Sequence, residues 1–76
     1  MDWHPFEVDG EEFFWCAYPS MSKSGDGPWI PNEYLNIARQ PDTRGIGRIY
    51  EQGYRVTEAD AIDTVRTFVA AGRHIP

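Results

Sequence analysis

Seventy-six residues carry twelve acidic and seven basic side chains, a formal charge of −5, with 41% hydrophobic and 14% aromatic residues. This is the composition of one small folded domain spanning 1–76. Its net acidity opposes the non-specific DNA or RNA binding that rests on neutralising phosphates. The single cysteine excludes an intrachain disulfide, and with it a disulfide-stapled secreted scaffold.

No apolar run approaches the ~18–20 residues that cross a membrane, and no basic segment followed by an apolar one opens the chain. A cytoplasmic protein is therefore expected. A chain this short buries only ~60–65% of its unfolded surface, so good packing or self-association has to supply stability. The charge is uneven. Residues 1–33 hold seven acids against Lys23, giving −6, and residues 34–76 hold six arginines against five acids, giving +1.

Trp3 to Val8 and Glu11 to Tyr18 are strand-like runs joined at Asp9-Gly10, a strong two-residue hairpin signal because a type I′ turn needs positive φ at both positions. That turn fixes the register: Val8 faces Glu11, Phe6 faces Phe13 and His4 faces Trp15. Alternation then puts Phe6, Val8, Phe13, Trp15 and Ala17 on one face. Trp3, Pro5, Glu7, Glu12, Phe14, Cys16 and Tyr18 fall on the other. Residues 19–32 are rich in Gly, Ser and Pro and predict a long loop. Within it Pro28-Trp29-Ile30-Pro31 forms a stiff apolar anchor able to fold over the aromatic face of the hairpin.

A third strand is expected over Glu33–Arg39, with Leu35 and Ile37 on one face. A turn follows at Gln40–Gly45, then a fourth strand at Ile46–Tyr50 that resumes at Tyr54–Val56. Gly45-Ile46-Gly47 lacks the helix and Gly-Lys-Ser/Thr ending of a phosphate loop and reads as a turn. The last element is a helix, with Thr57 as N-cap, Asp60 in an imperfect capping box, and Gly72 as a left-handed stop. Ile62, Val65, Phe68 and Val69 form its buried stripe, opposite Asp60, Thr64, Thr67 and Ala71. The fold class is α+β: an antiparallel meander of three to four strands, an N-terminal hairpin, a long loop and a second hairpin, with one C-terminal helix on one face.

Chemistry-bearing residues are few. Cys16, His4 and His74 are scattered, with His4 and Cys16 on opposite hairpin faces. They lack the spacing of a zinc site, so no metal and no cofactor is predicted. Cys16 between Trp15 and Ala17 reads as a small buried hydrophobe, and His74 as a solvated tail position. Glu7 and Glu12 face each other as a polar rim, not as a catalytic carboxylate pair. No catalytic constellation and no small-molecule substrate is indicated.

The expectation is a non-enzymatic protein-interaction module of a bacterial or phage chain. Its working surface is the outward face of the hairpin, Trp3, Phe14 and Tyr18 with Trp29, rimmed by Glu7, Glu12 and Asp26. The partner is a second copy or a basic protein, toward which an acidic phage or mobile-element inhibitor would imitate nucleic acid. The alternative is a small nucleic-acid-binding domain using Arg39, Arg44, Arg48 and Arg55, the one basic cluster in the chain.

Overall fold

A computed structural model describes Met1–Pro76. In chain order it contains β1 (His4–Val8), β2 (Glu11–Ser22), β3 (Ile30–Ala38), β4 (Ile46–Glu51) and α1 (Glu58–Ala70). The strands form one antiparallel sheet in the order β1-β2-β3-β4, the expected meander with its helix on one face. Asp9 (φ 51°) and Gly10 (φ 82°) both take the positive φ that the first turn demands, and the pairs Val8↔Glu11, Phe6↔Phe13 and His4↔Trp15 form as the turn dictates.

The 19–32 segment differs from expectation. β2 and β3 pair without interruption from Phe14↔Ala38 to Ser22↔Ile30, so only residues 23–29 lie outside strands. Pro19 and Pro31 are tolerated because each lies where a strand N–H would point away from the β2–β3 ladder. The result is a long hairpin arm that outruns β1 at one side and β4 at the other. The fourth strand does not resume at Tyr54. Instead the Tyr54 N–H donates to the Glu51 carbonyl at 3.0 Å, closing a turn at Gly53 (φ 85°). Ile46 and Gly47 belong to β4 and are not a turn.

The helix face of the sheet supplies Phe6, Val8, Phe13, Leu35 and Ile37. They are sealed by Ala61 and Val65 from α1 and by Ile75 from the C-terminal tail. Thr64, expected on the solvent side, is 1% exposed, whereas Val69, expected in the stripe, is 57% exposed. The buried face is therefore Ala61, Thr64, Val65 and the half-buried Phe68. Thr64 fits there because its hydroxyl donates to the Asp60 carbonyl at 2.8 Å, leaving only its methyl to pack.

Both helix ends are fastened. The Asp60 carboxylate accepts from the Thr57 N–H at 2.8 Å, from the Thr57 hydroxyl at 3.2 Å and from the Tyr54 hydroxyl at 2.8 Å. The shorter Asp thus closes the box where Glu is usual. At the other end Gly72 (φ 71°) lets the Arg73 N–H reach the Phe68 carbonyl and its own N–H reach that of Val69, a Schellman closure. The tail then returns to β3. The Arg39 N–H donates to the Pro76 carbonyl and Arg39 Nε to the Ile75 carbonyl, both at 3.0 Å.

A helix of thirteen residues spans roughly 20 Å, against a longest molecular dimension of 41 Å. It covers the β1 end of the sheet and leaves Ala17, Pro19, Met21 and Pro31 on the arm exposed.

Candidate functional site: the outer face of the sheet

The face turned away from α1 is set by the same alternation. Its rows, read across the strands, are Glu7–Glu12, Pro5–Phe14–Ala38, Cys16–Asn36–Gly47, Tyr18–Tyr34–Ile49 and Ser20–Asn32–Glu51. Phe14, Tyr18 and Tyr34 are half-buried, and Ile49 is 56% exposed. Tyr18 and Tyr34 lie with ring centroids 5.5 Å apart, tilted by 46°. Burial pushes the Tyr18 phenol above its ordinary pKa, with the neighbouring Tyr34 adding to the shift, so Tyr18 stays a neutral hydrogen-bond donor.

Tyr34 is locked by Gly47. A Cβ at Gly47 would lie 1.9 Å from the Tyr34 hydroxyl, so the glycine is the space into which the phenol lies. Tyr18, Ser20, Tyr34, Asn36, Arg44 and Gly45 together line a shallow depression of about 310 Å³. Its side-chain polar groups are hydroxyls, an amide and a guanidinium, with no carboxylate. Further along, Asn32 is 5% exposed. Its Nδ2 donates to Ser22 Oγ at 2.8 Å, while its Oδ1 has no partner. A groove of about 500 Å³ beside it is lined by Ile30, Pro31, Ile49 and Gln52 among others.

The residues expected to bind a partner fall into two groups. Glu7, Glu12, Phe14 and Tyr18 share the outer face, while Trp3, just before β1, has its Nε1 donating to Asp42 Oδ1 at 3.1 Å. Asp26 and Trp29 stand at the tip of the arm. Trp29 does not fold back over the aromatic face: it is 61% exposed, with Lys23 Nζ 5.7 Å from its ring centroid. The continuous β2–β3 pairing holds it at the tip. Tyr34, Asn36 and Ile49 were missed as site residues. Leu35 and Ile37 on the inward face of β3, with Ile46 and Tyr50 on that of β4, carry the signal for them, since alternation then turns Tyr34, Asn36 and Ile49 outward.

The arginines are not one patch. Arg39 holds the tail carbonyl, lies 4.9 Å from the Phe13 ring centroid and reaches Glu11 at 3.4 Å. Arg48 pairs with Asp63 at 3.1 Å and lies 5.1 Å from the Tyr50 ring centroid, on the helix side. That Asp63 contact raises the Arg48 pKa. Arg44 edges the outer-face depression, and Arg55 is exposed between β4 and the helix.

Cys16 is buried under Met1, with Sγ 3.4 Å from Met1 Sδ. Burial raises its pKa, with the N-terminal ammonium pulling the other way, so it packs as a thiol. His4 lies against Trp15, with centroids 4.7 Å apart, and His74 is exposed. No three His, Cys, Asp or Glu side chains gather at metal-binding spacing. No helix is long and apolar enough to cross a membrane. Comparison with protein-family models, with curated proteins and with solved structures finds no match, and function has to be read from the chain's own residues.

Proposed function

We propose that this chain is a non-enzymatic protein-interaction module whose working surface is the outer face of the sheet. One observation carries the reading: Phe14, Tyr18, Tyr34 and Ile49 stand together on the sheet face that α1 does not cover. Aromatic anchors inside a polar rim are what protein interfaces use for affinity. Glu7 and Glu12 supply that rim directly opposite one another, an arrangement that destabilises the free hairpin and is relieved by a cationic neighbour. A basic protein is therefore the fitting hetero-partner. A small phage or mobile-element inhibitor that imitates nucleic acid toward such a protein fits the same acidic rim and the −5 charge.

The test is capture of partners from a bacterial lysate with Tyr18→Ala and Arg44→Ala variants of matched thermal stability. Truncating an anchored aromatic commonly costs ~2 kcal/mol or more, and a rim charge much less. Tyr18→Ala should lose the partner and Arg44→Ala keep it. Equal retention by both variants would overturn the reading.

The Tyr18–Tyr34 pair beside Arg44 favours a second reading, single-stranded nucleic acid with bases stacked on the tyrosines and a phosphate at Arg44. Tyr18→Ala affects both readings alike, so a gel shift separates them. Retardation of a labelled single strand that weakens steeply with salt would select this one.

A further inference from the structure

We propose that the outer edge of β4 receives a second copy of this chain, strand against strand about a two-fold axis through Ile49, so that two outer faces join into one. The prolines reveal which edges are open. Residues of an antiparallel pair exchange backbone hydrogen bonds at every second position, and proline cannot donate one. Pro5↔Phe14, Pro19↔Glu33 and Met21↔Pro31 must therefore be the non-bonded pairs. With no interruption of register, Pro5 points to the outer edge of β1, and Pro19 to the side of β2 that β1 leaves uncovered. Pro31 points to the side of β3 beyond the end of β4.

Each of these exposed edges is thus blunted by a residue with no N–H to offer, a common guard against strand addition. β4 is the exception. Its sequence, Ile-Gly-Arg-Ile-Tyr-Glu, has neither proline nor lysine. Alternation from Glu33↔Tyr50, Leu35↔Arg48 and Ile37↔Ile46 turns the backbone of Gly47, Ile49 and Glu51 outward.

The identity of the occupant follows from register. Centred on Ile49, the two-fold pairs Ile49 with Ile49, Gly47 with Glu51, and Arg48 with Tyr50 of the second copy. That last pair repeats between chains the guanidinium–ring contact that the same two residues make within one. No like charges meet. Centring on Arg48 would oppose two guanidiniums, and centring on Tyr50 would set Ile49 against Glu51. The Glu51 carbonyl already accepts from Tyr54, so the new bonds are Ile49 N–H to Ile49 carbonyl and Glu51 N–H to Gly47 carbonyl, each made twice by symmetry.

On the outer face the row Tyr18–Tyr34–Ile49 then continues as Ile49–Tyr34–Tyr18, one apolar band across six strands. The pairing stands on the edges alone. What the joined band does rests on the interaction reading above. A short strand pairing is smaller than a standard interface of about 1,200–2,000 Å², so the dimer forms with rising concentration and is not obligate.

Sedimentation equilibrium from micromolar to sub-millimolar protein tests it. The native chain should show a monomer–dimer equilibrium, and Ile49→Pro and Ile49→Lys should stay monomeric over the same range. Ile49→Pro removes only the outward donor, because Ile49↔Tyr34 is a non-bonded pair. Its circular dichroism should match the native chain, and if it fails to fold, Ile49→Lys carries the test. Amide exchange at Ile49 and Glu51 should slow with concentration in the native chain alone. A native chain that is monomeric throughout, or a dimer that survives Ile49→Lys, overturns the proposal. Tyr18→Ala lies two strands from the edge and should leave the dimer intact. Lost partner capture with an intact dimer therefore reports on the face, and lost dimer on the edge.

Discussion

The two ends of β2 and β3 are built from the same strands and behave as different materials. At the α1 end Phe13, Leu35 and Ile37 are buried under the helix and the tail. At the arm end the corresponding positions hold Ala17, Pro19, Met21 and Pro31, all exposed. A helix of this length covers about half of the sheet, and the sequence changes character where the cover stops. Buried aromatic and branched aliphatic side chains give way to an alanine, two prolines and an exposed methionine. One end holds the fold together, and the other extends the sheet without contributing to the core.

The largest break in that contrast comes from charging the covered end. Val65→Asp would bury an uncompensated carboxylate against Phe6 and Leu35, at a cost of several kcal/mol, about the size of the stability a small domain has to lose. Thr64→Asp should be nearly as damaging, because Thr64 is enclosed. Thr67→Asp, on the exposed side, should be tolerated. Circular dichroism melts of the three variants decide: a folded Thr64→Asp would mean the helix is rotated from its described position.

A gentler pair tests the same contrast within the strands. Leu35→Ala should cost about 2–5 kcal/mol through lost burial and the cavity it leaves. Met21→Ala, on the uncovered arm, should stay within about 0.5 kcal/mol. Urea titrations would show it. Equal losses would mean that something covers the arm in solution, and the Met21 loss should then fall with dilution.

What was legible in the residues follows this division. Asp9-Gly10 sets the first turn and its register because only certain residues accept positive φ, and the Phe6/Phe13 face follows by parity. The arm was not legible, because Pro19 and Pro31 read as strand breakers unless it is known which way each N–H would point, and that depends on the partner strands. Thr64 misled for a related reason: its hydroxyl is polar by composition but satisfied by its own helix. Half of the outer face was reachable from the hairpin alone. Tyr34, Asn36 and Ile49 join it only once β3 and β4 have a register. Arg39 looked like part of a basic cluster because sequence spacing cannot show the tail carbonyls it binds.

On the outer face a smaller effect is expected at Gly47. A methyl there displaces the Tyr34 phenol and not backbone, so Gly47→Ala should cost about 1–3 kcal/mol, the usual penalty of overpacking. In a Tyr34→Ala background the same change should be nearly neutral. The double-mutant cycle should therefore give a coupling of 1 kcal/mol or so, and additivity would show that Tyr34 does not occupy the Gly47 gap.

The smallest effect lies at the junction between the two ends, where Tyr54 and Asp60 tie the β4 turn to the start of α1. Burial alone would raise the Asp60 pKa. The Thr57 N–H, the Tyr54 hydroxyl, the Thr57 hydroxyl and Arg48 outweigh it and hold the carboxyl below its ordinary range. A group whose folded pKa is depressed contributes stability above its unfolded pKa of about 3.9, and loses it as pH falls through the folded value. The Tyr54 pKa moves the other way, raised first by its hydrogen bond to Asp60. Its contribution is complete below its unfolded pKa of about 10 and is lost as pH rises through the folded value. Asp60→Ala should therefore lower stability by about 1 kcal/mol at neutral pH, the scale of a lost helix cap. The gap from the native chain should close in acid as the native carboxylate is protonated. Tyr54→Phe should instead flatten the alkaline limb of the stability profile. Thermal melts of the native chain and both variants across pH would show it. A gap between Asp60→Ala and the native chain that stays constant from neutral pH into acid would mean that the Asp60 charge does not hold this junction.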